Sequence, residues 1–485
     1  MNETQRIAHL LRRFGLGASQ AEMKRYSALG LHKTIDALLQ YDPKKAPEVS
    51  PFEFVFVNNQ NMVDFNPARL SAWWGLQFVL TDQPLQERLA LFWHDHFAVS
   101  ASKVENSLMM LKYLNLLREG GIGNFRQLIG DLTADPAMLR WLDGETSVKG
   151  RPNENFAREV MELFTLGVGN YTERDVAELA RAFTGWGLRV AFRYGTPVAN
   201  RAQLVESMES GRPFVAAAYS PDFHDDGPKT VLGKNARFDT DSALDHLVSR
   251  PRTAQYLATK LWEYFAYPNP EPRVVERVAK SFVDGKYEMK AVLLTIATTP
   301  EFWSEKCVRK QVKCPIDFVV PPLRQLGFAE LALKQRPTNA GPSKPIEGPL
   351  LALAGAVESM TRRMGLRLLF PPDVAGWNWG DGWISPAMMM ERLKYADVLM
   401  ANRQGSAVEI VRNNLSSPSL ADSGQLAVAF AGLFDVPLTL TDMQVLTSAI
   451  DAAGGVEGAF RPNVFPNLAR RLTKLVFAMP SYQLC

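Results

Sequence analysis

Residues 85–97 have the sequence LQERLALFWHDHF, and their apolar spacing decides the fold class. Leucine, phenylalanine and tryptophan recur here three or four residues apart, which places them on one face of an α-helix. The spacing of Leu10, Leu11 and Phe14 near the start of the chain is also helical. We therefore predict that the chain is a helical assembly up to about residue 186.

A segment between residues 187 and 235 has a different pattern. Its two parts, LRVAFRYGTPV (188–198) and RPFVAAAYSPDFH (212–224), are rich in β-forming residues and are interrupted by glycine and proline. Helical spacing resumes at Asp239. The predicted fold class is therefore mainly α, a large helical bundle-like assembly with a small inserted β-hairpin region around 187–235.

The predicted organisation has four regions that form one compact unit. Residues 1–186 are an N-terminal helical region, 187–235 the inserted hairpin, 236–400 a second helical region and 401–485 the C-terminal helices. The segment QRPTNAGPSKPIEGP, residues 335–349, is rich in proline, glycine and other turn-forming residues. We expect it to be an exposed loop between helices.

The composition limits the class of protein. The chain has 485 residues, of which 46% are hydrophobic and 22% charged, so it can bury a large core as a soluble globular protein does. Fifty-four basic residues against 51 acidic ones leave a net charge of +3, too small an excess for a protein that binds nucleic acid. No uncharged stretch approaches the roughly 18 apolar residues that a membrane span requires.

The N-terminal segment and the cysteines bear on the compartment. The segment MNETQRIAHLLRRFGLGAS carries charges throughout its apolar part, unlike a secretory signal. We expect a cytoplasmic protein, or an exported one if a leader has been removed. The three cysteines form no CxxC pattern, so we expect them to be structural.

His94 and His96 are the only close pair of histidines. Residues two apart share a face on a strand but diverge by about 200° on a regular helix. Both imidazoles can therefore bind one metal ion only if the helix ends near Asp95. The alternative is that both rings are buried beside aromatic residues and are hydrogen-bonded there.

The segment NENFAREVMELFTLG, residues 153–167, is predicted to be one helix because proline precedes it and glycine ends it. On that helix Asn155, Glu159 and Glu162 fall on one face, with Arg158 beside them. Side chains in such a row along one helix face can bind a cation, or one of the carboxyl groups can have a raised pKa. A structural interpretation, with an asparagine N-cap and an Arg158–Glu162 pair, accounts for part of the pattern.

Two loops also gather functional groups. Residues 223–233, FHDDGPKTVLG, present an imidazole, two carboxylates and an ammonium group, but they lack the glycine pattern of a nucleotide-binding loop. Residues 377–383, WNWGDGW, hold three tryptophans among glycines and are called the Trp loop here. Exposed indoles would stack on sugar rings or bind a partner, whereas buried ones would only attach the loop to the helices.

These segments resemble those of the bacterial family known as domain of unknown function 1800. The matching stretches are IAHLLRRFGLGAS, WHDHFAVS, DPAMLRWLDG, NENFAREVMELFTLGVGNYTERDVAELARAFTGW, HDDGPKTVLG, RTAQYLATKLWEYF and PPDVAGWNWGDGWIS. They occur in the family's order from residue 6 to about residue 392. Two departures are Asp95, where the family often has asparagine, and Ala375, where it often has lysine.

The resemblance implies no known activity, but it assigns many polar residues to family motifs. The implied residues are His94, His96, Asn153, Glu154, Asn155, Arg158, Glu159, Glu162, His224, Asp225, Lys229 and Trp377. We expect those from four motifs to form one shared site. Family members are often exported, and they are commonly encoded beside a family that resembles alkaline phosphatases, domain of unknown function 1501, which is therefore the candidate protein partner.

The first functional interpretation is a hydrolase or lyase that acts on a small molecule or a polysaccharide. The candidate cofactor is a divalent metal ion held by His94, His96 and His224, and the general base is Glu159 or Glu162. Arg158 or Lys229 then stabilises the developing negative charge. A metal-free version uses Glu159 and Asp95 as an acid–base pair on a polysaccharide. The residues assigned to substrate binding are Asn153, Asn155, Lys229, Trp377, Trp379 and Trp383.

The second interpretation is a non-catalytic assembly or accessory protein. In it, the Trp loop binds a partner protein or a polysaccharide, and the buried polar side chains of the motifs fix the packing of the helices. An open site with an unpaired acid or imidazole would favour the enzyme. A network that is fully buried and fully paired would favour the accessory protein.

Overall fold

The structure is a computed structural model that describes residues 1–57, 63–190, 215–401, 407–415 and 420–485. Most of these residues are helical, which confirms the mainly α fold class. The α-helices are α1 (Glu3–Arg13), α2 (Gln20–Leu29), α3 (Leu31–Leu39), α4 (Pro67–Leu80), α5 (Pro84–His96), α6 (Ala101–Val104), α7 (Ser107–Gly120), α8 (Phe125–Thr133), α9 (Pro136–Trp141), α10 (Glu154–Glu159), α11 (Glu173–Ala182), α12 (Thr240–Val248), α13 (Pro251–Phe265), α14 (Pro272–Asp284), α15 (Met289–Thr298), α16 (Pro315–Gln325), α17 (Phe328–Lys334), α18 (Gly348–Arg363), α19 (Pro386–Met400), α20 (Ala407–Leu415), α21 (Ser423–Gly432), α22 (Leu440–Asp451), α23 (Gly455–Ala459) and α24 (Phe465–Ala478).

Local sequence sets many of the helix starts. Ser19, Thr172 and Asp239 are N-caps whose side chains accept a backbone N–H of the first turn, and each forms a reciprocal capping box. Proline occupies the first position of α4, α5 and α13, where its missing N–H costs no hydrogen bond.

The strands form antiparallel two-stranded sheets. They are β1 (Phe56–Val57), β2 (Val63–Asp64), β3 (Trp186–Val190), β4 (Val215–Tyr219), β5 (Lys229–Val231) and β6 (Lys234–Ala236). The β3–β4 ladder, with Trp186 opposite Tyr219, lies in the predicted hairpin region. Residues 191–214 of that prediction lie outside the described residues. The β5–β6 hairpin lies at the end of the same predicted region and begins within the segment 223–233, which was predicted as a loop.

The core is built around α5, all of whose residues are buried. Its polar side chains have partners, as buried polar groups require. Glu87 accepts hydrogen bonds from Arg118 at 2.7 Å and from the indole of Trp74 at 2.9 Å. Arg88 forms a buried ion pair with Asp317. Helix α5 therefore tolerates full burial despite its charged residues.

The segment 153–167 differs from the predicted regular helix. Helix α10 passes directly into a π-helix, Val160–Leu166, which ends at Gly167 with φ +78°. The Thr165 hydroxyl donates to the Val160 carbonyl at 2.6 Å, the five-residue spacing of a π-helix. Because a π-helix has a wider turn than an α-helix, side chains after residue 159 do not follow the regular spacing that was assumed for Asn155, Glu159 and Glu162.

Three other sequence predictions have a structural outcome. Residues 335–347 connect α17 to α18, as predicted for the loop around 335–349. The cysteines are buried and free, which agrees with a structural role. In the described ranges no helix is long and apolar enough to cross a membrane.

Candidate functional site

Helix α5 ends in the triplet His94, Asp95 and His96, and the helix continues through all three residues. Each side chain is buried. The helix ends at His96, one residue after Asp95, but both histidines are still helical, so their side chains diverge by about 200° and do not point at one ion. The two rings accordingly have different hydrogen-bond partners.

His94 packs against the rings of Trp74, Tyr113 and Trp377. The Tyr113 hydroxyl donates to the Phe97 carbonyl at 2.8 Å, so its oxygen accepts a bond from Nδ1 of His94 at 3.1 Å. The proton is therefore on Nδ1, and Nε2 has a buried lone pair without a partner among the described residues. Burial lowers the pKa of His94 to about 3, so the ring is neutral.

His96 helps to close the end of the π-helix. Its Nε2 donates to the Phe164 carbonyl at 3.2 Å. The Tyr256 hydroxyl donates to the carbonyl of Leu163 at 3.1 Å, and Arg252 donates to the last carbonyl of the π-helix at 2.9 Å. The last carbonyls of a helix lack partners within it, so these three side chains supply the missing donors. Burial lowers the pKa of His96 well below its ordinary value.

Asp95 connects α5 to the Trp loop. Its Oδ1 accepts the backbone N–H of Trp377 at 2.8 Å, and its Oδ2 accepts the indole N–H of Trp379 at 2.7 Å. Gly376 passes so close that a Cβ there would lie 2.3 Å from Oδ1. Burial raises the pKa of Asp95 to about 6, although the Trp377 N–H and the charge of Lys260 favour its ionised form.

The Trp loop is therefore not an exposed wall of three indoles. Trp377 and Trp383 are buried and attach the loop to the helical body. Trp379 is half-buried, and its ring lies edge-to-face against Tyr264 at 5.1 Å between centroids. Of the three tryptophans assigned to substrate binding, only Trp379 keeps an accessible part.

Glu159 and Glu162 lie side by side in different environments. Glu159 is 9% exposed and forms no hydrogen bond or ion pair with any described residue. Burial and the neighbouring Glu162 raise its pKa. Glu162 is half-buried and accepts a hydrogen bond from the hydroxyl of Tyr171. Burial and this bond raise the pKa of Tyr171 to about 12.

The remaining polar residues of this segment have structural partners. Arg158 forms a two-pronged ion pair with Glu173, at 2.8 and 2.7 Å, and not with Glu162. Asn153 is the N-cap of α10 and accepts the backbone N–H of Asn155 at 2.9 Å. Asn155 itself is exposed. The asparagine N-cap of the structural interpretation is therefore present, whereas its Arg158–Glu162 pair is replaced by the ion pair between Arg158 and Glu173.

The loop 223–233 forms a separate structural unit with α11. Nδ1 of His224 donates to the Thr184 carbonyl at 3.0 Å. Asp225 pairs with Arg181 at 2.8 Å, which lowers the pKa of Asp225 to about 2. Lys229 is completely buried, and its ammonium group donates to three backbone carbonyls. It is therefore not available to a substrate.

The expected convergence of four motifs is thus correct for three of them. No hydrogen bond or ion pair between described residues joins loop 223–233 to the triplet at the end of α5. Nor does the described part of the chain contain a group of three or more His, Cys, Asp or Glu side chains placed to hold a metal ion. The combination of His94, His96 and His224 as metal ligands is therefore not assembled.

Lys260 on α13 joins the site although the sequence reasoning missed it. It lies in RTAQYLATKLWEYF, one of the stretches that carry the family resemblance. The available signal was the spacing of Tyr256, Lys260 and Tyr264, which places them on one helix face. Burial is the main cause that raises the pKa of Tyr256 to about 12. The nearby carboxylates of Glu162 and Asp95 act in the same direction.

We call the resulting group the α5-end cluster. It contains acids, phenols and one amine from α5, from the α10–π-helix segment, from the residue that precedes the N-cap of α11, and from α13. Its members are Asp95, Glu159, Glu162, Tyr171, Tyr256 and Lys260. Several of its pKa values are shifted in a partly buried environment, a property that is common at catalytic sites.

A large apolar groove lies elsewhere, between α16, α17, α18 and α19. It encloses about 410 Å³ and is lined by residues such as Leu323, Phe328, Leu353 and Val398. No carboxylate, imidazole or amine lines it. The groove therefore offers no acid–base chemistry, in contrast to the α5-end cluster.

Comparison with known proteins identifies a family. Residues 9–484 match the model of a family described as "Protein of unknown function (DUF1800)". No curated protein and no solved structure matches the chain.

Proposed function

Since the chain belongs to the DUF1800 family, whose description names no activity, we propose from the α5-end cluster that the protein is a hydrolase or lyase. In this proposal, acid–base groups of the cluster cleave a polar substrate, and a polysaccharide is the favoured class. In this proposal, the large apolar groove and loop 223–233 take no part in the reaction.

The observation that carries the proposal is the unpaired Glu159 carboxylate beside Glu162. A largely buried carboxylate whose pKa is raised by burial and by a neighbouring carboxylate is better suited to accept and return a proton than an exposed one. Glu162 and Tyr171 share a hydrogen bond, so they supply a second acid–base pair next to Glu159. Glu159 and Tyr171, whose pKa values are both raised, are the kind of neighbouring groups that make up an acid–base site.

The role of stabilising negative charge moves to Lys260. Arg158 and Lys229, the two cations that the sequence suggested, are bound to Glu173 and to backbone carbonyls. Lys260 is half-buried and forms neither a hydrogen bond nor an ion pair with the described residues. Partial burial strengthens its electrostatic effect on a bound anion.

His94, His96 and Asp95 support the site in this proposal. The neutral histidines fix the end of α5 and the π-helix. Asp95 holds Trp379 at the edge of the cluster, where its accessible part can contact a sugar ring.

The test is a comparison of Glu159→Gln with Glu154→Gln on a panel of polysaccharides. Both products of cleavage are measured: new reducing ends for either reaction, and new C=C double bonds for elimination. We expect Glu159→Gln to lower the rate at least about hundredfold, as the loss of a general base does. Glu154 is exposed on the same helix and serves as the matched control. Full activity in Glu159→Gln, or no cleavage of any polymer by the wild-type protein, would contradict the proposal.

A non-catalytic accessory protein is the second candidate, because several motif residues are used inside the fold. Asn153 caps α10, Lys229 binds three carbonyls and Trp377 is buried. A fully satisfied network of this kind fixes packing without chemistry. The candidate partner is the co-encoded family named by the resemblance. Binding of that protein by calorimetry, weakened by Trp379→Ala, would support this function, and the absence of binding would exclude it.

A further inference from the structure

A second pocket lies between α1, the start of α2 and the ends of α16 and α21. It encloses about 270 Å³, and among the described residues that line it none belongs to the α5-end cluster. Apolar side chains such as Leu11 and Leu433 form part of its wall, and Arg12, Gln325 and Asp435 form the polar part. A cavity of about 150 Å³ holds benzene, so this pocket has room for a ligand of about ten non-hydrogen atoms.

Arg12 brings unpaired donors to this pocket. Its side chain is only 10% exposed, and its Nη1 forms an ion pair with Asp435 at 2.5 Å. Its Nε is closed off from solvent and has no hydrogen-bond partner among the described residues. Its Nη2 also has no partner there, but it remains in contact with solvent. Burial of donors without acceptors costs free energy, which a bound acceptor group would offset.

Gln325 and the start of α2 add further donors. The Gln325 amide forms no hydrogen bond with the described part of the chain, and its Oε1 is buried without a partner. Ala18 and Gln20 line the pocket where α2 begins. The Ser19 side chain accepts the N–H of Glu22, the third residue of α2. The first two N–H groups of that helix have no acceptor within it, so they favour a bound anion.

The acceptors near the pocket are already in use. The two oxygens of Asp435 bind Arg12 at 2.5 Å and Arg309 at 2.7 Å. The carbonyls of residues 429–432, at the end of α21, accept the N–H groups of residues 433–435. The unpaired polar groups that face the pocket are therefore mainly donors.

Cations also exceed anions around this pocket. Arg12 and Arg309 share the single carboxylate of Asp435, and the carboxylate of Glu22 pairs with Arg324. Three guanidinium groups thus face two carboxylates, which leaves one positive charge in excess. Burial is the main cause that lowers the pKa of Arg309, and the charge of Arg12 acts in the same direction. One bound negative charge would balance this excess, whereas a dianion would exceed it.

We propose that this pocket binds a small monocarboxylate with an apolar body. The carboxylate accepts hydrogen bonds from Arg12, whose planar guanidinium suits a carboxylate, and from the amide of Gln325. The apolar body contacts the wall formed by Leu11 and Leu433. This binding site shares no residue with the α5-end cluster, so it does not depend on the proposed hydrolase or lyase activity.

The experiment is calorimetric titration of the wild-type protein with 4-methylpentanoate, octanoate and 3-phenylpropanoate, and with the primary amide of each. An amide has nearly the shape of its acid but lacks the charge. We expect at least one acid to bind and its amide to bind about tenfold to hundredfold more weakly, the loss typical of a charge-assisted hydrogen bond. Inorganic phosphate is the dianion control and should bind more weakly than that acid. This comparison does not depend on the folding of a variant.

Variants then assign the binding to the pocket. Arg12→Met should remove the preference for the acid, and Asp435 keeps its ion pair with Arg309 in this variant. Arg6→Met, on the exposed face of the same helix, should match the wild type. Ala8 lines the pocket one turn before Arg12, so the larger side chain of Ala8→Leu should fill it and abolish binding of acid and amide alike. Circular dichroism checks that each variant is folded.

Four outcomes would overturn the inference. The first two are that no acid binds the wild-type protein and that acid and amide bind it equally. The third is that inorganic phosphate binds more tightly than every acid. The fourth is that folded Arg12→Met keeps the preference for the acid or that folded Ala8→Leu binds it as the wild type does. None of these results bears on cleavage by the α5-end cluster, which the Glu159→Gln comparison tests separately.

Discussion

Asp95 is the residue on which the geometry of the site depends most. It is 8% exposed, and each of its oxygens accepts one bond from the Trp loop region. Burial nevertheless holds its pKa at about 6, above that of an unfolded chain. The same carboxylate therefore positions Trp379 and carries a cost when it ionises.

That cost gives the first prediction, on the pH dependence of Asp95→Asn. The folded protein binds the Asp95 proton more tightly than the unfolded chain, so this contribution to stability is present at low pH and is lost as pH rises through about 6. Relative to wild type, Asp95→Asn should gain about 3 kcal/mol between acidic and neutral pH. Urea unfolding at a series of pH values measures the difference. A difference that does not vary with pH would contradict the assignment.

A second prediction at this scale concerns Gly376→Ala. A Cβ at residue 376 would lie 2.3 Å from Oδ1 of Asp95, and φ is +83°. We expect a loss of about 3 kcal/mol or more in the free energy of unfolding. Gly380→Ala is the matched control, because φ is also positive there and nothing lies within 4 Å of the new Cβ. It should cost only about 1 kcal/mol. Equal losses in the two variants would exclude the predicted clash.

At the scale of elements, the π-helix depends on neighbouring helices for its hydrogen bonds. Its final carbonyls receive donors from His96 on α5 and from Arg252 and Tyr256 on α13. A π-helix is rarely stable by itself, so we attribute its formation here to these hydrogen bonds from neighbouring helices. This also explains why family motifs far apart in the chain lie together at this point.

The corresponding prediction compares Tyr256→Phe with Tyr41→Phe. Removing the Tyr256 hydroxyl leaves the Leu163 carbonyl without that donor, so we expect a loss of about 1–3 kcal/mol in unfolding free energy. The Tyr41 hydroxyl is buried without a hydrogen-bond partner, so its removal should cost nothing or stabilise the protein. Thermal and urea unfolding of both variants check this. Equal effects would show that the hydroxyl of Tyr256 does not support the π-helix.

At the scale of the whole molecule, Arg13 joins distant parts of the chain. This buried side chain donates to the Phe265 carbonyl at 2.8 Å, to the Tyr264 carbonyl at 2.8 Å and to the sulfur of Cys485 at 2.9 Å. It thus connects α1, the end of α13 and the last residues described. The contacts link regions that the sequence analysis assigned to one compact unit, and we expect these regions to unfold together.

Arg13→Met tests that cooperativity. It leaves several buried carbonyls without donors, so we expect a loss of about 3 kcal/mol or more. Arg6→Met, on the exposed face of the same helix, should change stability by less than about 0.5 kcal/mol. Circular dichroism and tryptophan fluorescence should report the same single unfolding transition in both variants. Two separate transitions in Arg13→Met would show that the regions unfold independently.

Sequence patterns predicted the fold class, the hairpin region and the loop before α18 because apolar spacing and turn residues are local signals. They failed where tertiary bonds decide the outcome. The π-helix depends on residues far away in the chain. Lys229 is paired with carbonyls only two, four and nine residues away, but this pairing depends on how its loop folds back, which residue spacing does not reveal. The sequence also offered Glu159 as a candidate acid, and the structure places it in a largely buried position. Lys260 was missed because a single lysine between tyrosines on one helix face is common in any amphipathic helix.

The contact between Asp95 and Trp377 spans 282 positions along the chain. Closing so long a segment costs conformational entropy that the contacts of the Trp loop must offset. In a chain still being synthesised, Asp95 therefore lacks its two partners in the Trp loop until residues beyond 380 have emerged.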